Sequence, residues 1–141
     1  MPPLRASVLL LFLLVLAIVL TACSAQPHKG FRPEFVGTGG AVIYVYRPKA
    51  PLSRSPAEVY LDQRHAGTLG QGMYLPLHVT PGEHHVRAEA RASAARRVEV
   101  RPGESAYLRL TVRRMGRSVV LEETDPDAAL DRLAHASLAQ P

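Results

Sequence analysis

The most reactive side chain in this 141-residue sequence belongs to Cys23, its only cysteine. A thiolate is a strong nucleophile, whereas a single cysteine cannot form an internal disulfide. Cys23 follows Leu20, Thr21 and Ala22, which are one large aliphatic residue and two small ones. Small residues before a cut site are typical of a signal peptide, so the spacing predicts cleavage between Ala22 and Cys23, with the thiol on the new first residue.

The segment before Cys23 has the layout of a secretory signal. Arg5 supplies positive charge, and the run from Ala6 to Leu20 is almost entirely Leu, Val, Ile, Ala and Phe. A run of about 15 residues is shorter than the roughly 20 of a transmembrane helix. With cysteine at the junction, the segment resembles the bacterial lipoprotein signal. That resemblance implies diacylglycerol on the Cys23 sulfur, cleavage before Cys23, and acylation of the new amino terminus, which together anchor a protein stably.

The six histidines suggest a metal site. If Pro81-Gly82 is a hairpin turn between paired strands, His78 lies across from His85 on the outer face. Two imidazoles placed in this way could share a zinc or copper ion. Because no third ligand has a fixed spacing to them, we predict solvated or packed histidines, no bound metal and no cofactor.

The sequence does not show the motifs of the common catalytic classes. Its serines lie in no nucleophile-elbow motif. The glycine-rich run 37–40 precedes a predicted strand, whereas a phosphate-binding loop precedes a helix. We therefore predict that the protein is not an enzyme. A polar cleft with clustered titratable groups would instead favour an enzyme of unrecognised type.

Arginine is concentrated in one part of the chain, since residues 83–117 contain nine arginines and four glutamates. Pairing two strands across a turn at 102–104 would place Arg97 opposite Arg109 on an outer face. This face is either a solvated surface or a contact for lipid headgroups, lipopolysaccharide phosphates or an acidic protein. Nucleic acid is not expected as the partner of an exported lipoprotein. The candidate face comprises Arg97, Arg101, Arg109 and Arg113.

The elements that would position these side chains are short strands. Residues 41–47 are apolar or aromatic at both parities, which predicts a strand buried on both faces near the centre of a sheet. Apolar and polar residues alternate from Met73 to Thr80, and Pro76 favours an edge or a bulge there. Turn signals at intervals of 8–12 residues predict about seven or eight strands in all.

The last segment changes to a helical period. Asp125 is a good N-cap, and Pro126 suits the first helical position. The helix is expected to pack on the sheet, with docking of a partner as the alternative. Its apolar face comprises Leu130, Leu133, Ala134, Ser137 and Leu138. We therefore predict a mainly β fold: a small antiparallel β-sandwich, or a partly open barrel, with a short C-terminal α-helix.

Five segments of the chain also resemble a protein family. In order, they are residues 43–48, 59–62, 67–69, 72–74 and 79–86. They resemble an uncharacterised family of small bacterial proteins, many of them lipoproteins, related to the PEGA-type β-sandwich modules of envelope proteins. The resemblance covers residues 41–112 and implies a fold but no known reaction. The chain departs from the family at Gln63, where glycine usually follows the aspartate.

These observations predict four segments. They are a signal peptide (1–22), a lipidated tether (23–40), a β-sandwich (41–123), and a C-terminal helix and tail (124–141). Phe31 and Phe35 are expected to lie in exposed linker, with docking on the domain as the alternative. A tether of this length reaches at most about 60 Å.

The predicted function is that of an envelope lipoprotein, anchored through Cys23, that serves as a non-catalytic binding or assembly module. The alternatives are a periplasmic carrier of a small ligand or metal, and an accessory subunit of an envelope or secretion complex. Ser24 stands where an aspartate would resemble an inner-membrane retention signal. We therefore expect the outer membrane, with the domain facing the periplasm.

Overall fold

The structure is a computed structural model that describes residues 31–34, 37–50 and 54–140. The predicted signal peptide, Cys23 and Phe35 lie outside these residues. No helix within the described ranges is long and apolar enough to cross a membrane.

The described chain is mainly β, as predicted, with nine strands and one short α-helix. The strands are β1 (Ala41–Arg47), β2 (Ala57–Leu61), β3 (Arg64–Leu69), β4 (Met73–Val79), β5 (Gly82–Glu89), β6 (Ser93–Val100), β7 (Ser105–Arg113), β8 (Ser118–Glu123) and β9 (Ser137–Leu138). The helix α1 spans Pro126–Leu133, and a 3-10 turn spans Arg114–Gly116. The strands form two sheets, so the predicted sandwich with a C-terminal helix is confirmed.

The first sheet has the strand order β8-β7-β1-β4-β9, and the second has the order β3-β2-β5-β6. Most neighbours are antiparallel, but β1 runs parallel to β7, and β4 runs parallel to β9. Aliphatic side chains from both sheets form the main core between them, including Ile43, Val45, Val86 and Leu110. Burial of this apolar surface is the dominant favourable contribution to folding. With a single cysteine in the sequence, no internal disulfide adds to it.

The strand β1 lies at the centre of the first sheet and is buried at every position, which confirms the prediction for residues 41–47. Its odd-numbered side chains enter the core between the sheets. Its even-numbered side chains, Val42, Tyr44 and Tyr46, form a second apolar cluster on the opposite face. Ala129 and Leu133 of α1 complete that second cluster, so the helix packs on the sheet as predicted.

The predicted hairpin at Pro81-Gly82 is wrong. The strand before this turn, β4, belongs to the first sheet, while β5 belongs to the second and pairs with β2 and β6. The chain therefore crosses from one sheet to the other. The edge prediction for Pro76 is correct. On one side Pro76 pairs with Tyr44 of β1. On the other side β9 pairs only with the first two residues of β4, so β4 is an edge at Pro76.

The predicted hairpin at 102–104 is also wrong, since β6 lies in the second sheet and β7 in the first. Arg97 pairs with His85 across the second sheet. Arg109 lies between Tyr46 and Glu122 in the first sheet. The predicted opposition of Arg97 and Arg109 is therefore absent, and the unfavourable contact between like charges is avoided.

The helix α1 begins where predicted and ends earlier. The Asp125 side chain accepts a hydrogen bond from the Asp127 backbone N–H, which caps the first turn. The helix ends at Leu133, and Ser137 and Leu138 form strand β9 beside Met73 and Tyr74 instead of a further helical turn. Leu130 and Leu133 pack on the sheet. Of the predicted face, Ala134, Ser137 and Leu138 are exposed.

Phe31 is packed, contrary to the expectation of an exposed linker. Its ring makes edge-to-face contacts with Tyr44 and Tyr74, at centroid distances of 5.0 and 5.1 Å. Three residues later, the Glu34 backbone N–H donates a hydrogen bond to the Tyr44 hydroxyl. The segment 31–34 is therefore part of the domain, because aromatic packing and a hydrogen bond both hold it on the first sheet.

Gln63 and Asp62 form the two-residue turn between β2 and β3, with φ values of 71° and 47°. Positive φ at both positions is the type I′ geometry that favours Asn-Gly or Asp-Gly. Gln63→Gly is therefore expected to raise the free energy of unfolding by about 1 kcal/mol, because glycine adopts this conformation without a steric penalty. Urea denaturation would measure the change. Gln63→Ala is the matched control: an equal gain from alanine would show that strain at Gln63 is not the cause.

Candidate functional site

The strand directions give the sandwich two distinct ends. At one end β1 finishes, β4 starts opposite it (Arg47 pairs with Met73), and β7 continues beyond it to Arg113. The β5–β6 and β7–β8 turns also meet at this end, where the Ala92 N–H donates to the Gly116 carbonyl over 2.8 Å. Gly116 is required there, because its φ is 87° and a Cβ would lie 3.2 Å from the Arg91 backbone nitrogen.

These two turns bring together a cluster of arginines that we call the basic end. It comprises Arg91, Arg113, Arg114 and Arg117. All four side chains are exposed, and none forms an ion pair with a carboxylate among the described residues. Lys49, which covers Gly72, lies at the same end of the sandwich.

Three carboxylates on the strands that lead to the basic end are paired with other arginines. Glu89 binds Arg87 over 2.7 Å, and Glu123 lies 3.7 Å from Arg96. A third carboxylate, Glu122, binds Arg109. Hydrogen bonding from Arg109 lowers the pKa of the Glu122 carboxyl, with a smaller contribution from the nearby charge of Arg113. These three carboxylates are therefore engaged by arginines outside the basic end and do not neutralise its four guanidinium groups.

The opposite end of the sandwich carries more negative charge. The loops there are joined by hydrogen bonds from Gly103 N–H to Gly40 O and from Val42 N–H to Glu104 O. Its carboxylates include Glu34, Asp62, Glu83, Glu99, Glu104 and Asp125, and Arg101 lies among them. The domain is thus electrically polar along its strands, although the net charge of the whole sequence is only +5.

Met115 lies at the tip of the basic end, and its side chain is 68% exposed. Both Arg114 and Met115 have positive φ, at 50° and 55°. For residues other than glycine this conformation costs about 1–2 kcal/mol each. The turn therefore holds an apolar side chain outward between arginines at an energetic cost, and such strain is more common at functional positions than elsewhere.

Of the four arginines predicted to share a face, only Arg113 belongs to the basic end. Arg97 is exposed on the second sheet. Arg101 lies at the opposite end of the sandwich, where its backbone N–H donates to the Glu104 side chain over 2.9 Å. Arg109 is paired with Glu122 on the first sheet. The structure therefore distributes the predicted face over both sheets and both ends.

The histidines are placed differently from the predicted pair. His78 lies on β4 in the first sheet, 3.2 Å from Glu34, whereas His85 lies on β5 in the second sheet. The predicted opposition of these two rings is wrong. No group of three His, Cys, Asp or Glu within the described ranges is arranged to hold a metal ion.

His84 instead connects three segments at the end opposite the basic end. Its Nδ1 lies 2.7 Å from the Asp62 carboxylate, and its Nε2 lies 2.7 Å from the Thr80 carbonyl. Because both partners are acceptors, only the protonated ring can donate to both. Burial by itself lowers the pKa of His84, but these hydrogen bonds outweigh it and raise the pKa. The pKa of Asp62 is lowered, mainly by the His85 backbone N–H and then by His84.

Asp62→Asn is expected to destabilise the protein most between pH 3.8 and 6.5, the ordinary pKa values of the two groups. Because the pKa of His84 is raised, its contribution to the free energy of unfolding is fully present below pH 6.5. That contribution is lost as the pH rises through the folded-state pKa. The lowered pKa of Asp62 means that its contribution is complete above 3.8 and is lost on acidification. Urea unfolding across pH would measure this, with Asp131→Asn as the control. A pH-independent difference would contradict the assignment.

The concave sites among the described residues include a cavity beside α1 and an open depression on one hairpin. A cavity of about 240 Å³ lies beside α1 and is lined by residues that include Arg47, Lys49 and His135. It is smaller than the roughly 300–1,000 Å³ of ligand pockets. An open depression of about 450 Å³ is lined by residues 61, 62 and 64–66 of one hairpin, so no second element closes over it.

The sequence interpretation missed Arg91, Arg114, Arg117 and the buried Arg47. The run Arg113-Arg114-Met115-Gly116-Arg117, with a turn-forming glycine among the arginines, was the available signal for the basic end.

No protein-family model, curated protein or solved structure matches the chain. The resemblance to PEGA-type modules stays a prediction.

Proposed function

We propose that this chain is a bacterial envelope lipoprotein whose β-sandwich acts as a non-catalytic binding or assembly module at a membrane surface. The observation that carries the proposal is the sequence Leu20-Thr21-Ala22-Cys23 after an apolar run of signal-peptide length. Lipid on the Cys23 sulfur and amino terminus would supply the anchor. The expected location is the outer membrane, with the domain facing the periplasm.

The packing of Phe31 supports a short distance between this anchor and the domain. Since residues 31–34 belong to the domain, at most residues 23–30 separate the domain from the anchor. Eight residues span at most about 28 Å, less than half of the reach expected from an open tether of residues 24–40. The sandwich is therefore held close to the bilayer surface, where a surface contact with the membrane or with a neighbouring envelope protein is geometrically easy.

The surface of the domain supports a binding role over a catalytic one. Its polar clusters form ion pairs and hydrogen bonds that connect strands and turns, such as His84 with Asp62 and Arg109 with Glu122. The surface feature that these contacts leave unexplained is the basic end. Positive surfaces of this kind attract anionic partners, by steering and by direct contact.

Cys23→Ala is expected to abolish incorporation of radioactive palmitate. The alanine variant has no sulfur to receive diacylglycerol, and acylation of the amino terminus follows that step. Ser24→Ala is the matched control, since it changes the adjacent residue and leaves the thiol. Labelling of the Cys23→Ala protein would refute the proposed anchor.

A further inference from the structure

We propose that the basic end docks on anionic phospholipid headgroups of the membrane that holds the lipidated Cys23. The proposal rests on the lipid anchor proposed above and adds an orientation to it. Charge complementarity, the position at which the described chain begins, and the exposed Met115 each support this surface.

Charge complementarity comes from the four arginines of the basic end. Their guanidinium groups are exposed and form no ion pair with a carboxylate of the described chain. A guanidinium can bind a phosphate oxygen pair through two parallel hydrogen bonds. Each basic side chain near an anionic membrane surface raises the affinity about fivefold. Four such side chains add usefully to an anchor that already keeps the domain nearby.

The position of the amino-terminal segment gives the domain a direction. Phe31 contacts Tyr74, which lies near the start of β4, and Glu34 lies beside His78, near the end of β4. The segment therefore runs along β4 and away from the basic end. Phe31, the first described residue, thus lies nearer the basic end than Glu34 does, and the chain length of residues 23–30 puts an anchored Cys23 within about 28 Å of Phe31.

Met115 adds an apolar contact at the same tip. Its side chain is 68% exposed and lies between Arg114 and Arg117 in sequence. An apolar side chain surrounded by basic ones suits the boundary between headgroups and acyl chains. In water alone, an exposed methionine side chain buries no apolar surface and so contributes no hydrophobic stabilisation at this tip.

The experiment uses the full lipidated protein, purified from membranes and reconstituted in vesicles. Met115→Cys and Thr38→Cys each introduce one free thiol for a fluorophore, because acylation consumes the Cys23 sulfur. Thr38 lies at the end opposite the basic end. Vesicles contain phosphatidylcholine alone, or phosphatidylcholine with phosphatidylglycerol, and a small fraction of lipid with a spin-labelled headgroup. Quenching of the fluorophore then reports proximity to the headgroups.

In vesicles with phosphatidylglycerol, the label at 115 is expected to be quenched more strongly than the label at 38. High salt should reduce the difference, because it screens exposed charges. The variant Arg91→Gln, Arg113→Gln, Arg114→Gln, Arg117→Gln should lose the difference. A control with equal charge removal, Arg32→Gln, Arg64→Gln, Arg97→Gln, Arg101→Gln, should retain it. Thermal unfolding of both variants checks that each remains folded.

Equal quenching at 115 and 38 in lipidated protein would overturn the docking proposal and leave the anchor intact. Equal loss in the control variant would also overturn it, because total charge and not the basic end would then control orientation. Mass spectrometry of the same sample tests the anchor separately. An unmodified Cys23 would overturn both the proposed function and this inference.

Discussion

Arg47→Ala is expected to lower the free energy of unfolding by about 3 kcal/mol or more, because it removes a buried charged group that connects the two sheets. Arg47 is the last residue of β1, and its side chain is only 2% exposed. Its guanidinium donates hydrogen bonds to the Ser55 carbonyl over 2.7 Å and the Leu69 carbonyl over 3.1 Å. Leu69 ends β3 of the second sheet.

Burial lowers the pKa of Arg47, yet arginine stays charged in proteins. A buried charge is tolerated when hydrogen bonds compensate for lost hydration. Alanine removes those donors and leaves a cavity, so both carbonyls lose a partner and the nearby core loses contacts. Urea denaturation monitored by circular dichroism would measure the loss.

Two controls separate the contributions of Arg47. Arg47→Met fills most of the space without donating hydrogen bonds, so a loss of about 1–2 kcal/mol is expected from the carbonyls alone. Arg64→Ala removes an exposed arginine and should change stability by less than about 0.5 kcal/mol. If Arg47→Ala and Arg64→Ala were equally mild, the connecting role of Arg47 would be wrong.

Leu133→Ala is expected to cost about 3 kcal/mol, because this leucine is the main anchor of α1 on the first sheet. Its side chain is fully buried, in a cluster with Tyr44, Tyr46 and Ala129. Alanine would leave a cavity under the last turn of the helix. Chemical denaturation would give the change in unfolding free energy.

Leu138→Ala is the matched control, since the helical period of the sequence places both leucines on one apolar face. The structure separates them: α1 ends at Leu133, and Leu138 lies in β9 with 57% of its surface exposed. We expect less than about 0.5 kcal/mol from Leu138→Ala. Similar losses for the two leucines would indicate a continuous helix in place of β9.

Features that depend on local sequence were predicted well. The strand β1 was identified because residues 41–47 are apolar or aromatic at both parities, and only a strand with neighbours on both faces buries such a pattern. The start of α1 is predictable from Asp125 and Pro126. Asp125 suits the N-cap position, and Pro126 suits the first helical position. Each of these signals acts within a few residues of the element that it specifies.

The end of α1 was not predictable in the same way. Ser137 and Leu138 continue the helical period, yet they lie in β9, where they pair with Met73 and Tyr74. The Ser137 and Ala139 backbone N–H groups donate to the carbonyls of Gly72 and Tyr74. The open edge at the start of β4 thus offers backbone hydrogen bonds that compete with a further helical turn, and no local signal in the sequence records that edge.

By itself, the sequence determined the type of each major element, the burial of β1 on both faces, the alternation of β4, and the cysteine at the proposed lipid attachment site. Only the tertiary structure decided which sheet each strand joins. Alternation specifies which side chains face the core, but a tight turn between two such strands can form a hairpin or cross to the opposite sheet with the same residues inward. At Pro81-Gly82 and at 101–104 the chain crosses. The crossing at Pro81-Gly82 separates His78 from His85, and the crossing at 101–104 separates Arg97 from Arg109. The meeting of two distant turns creates the basic end.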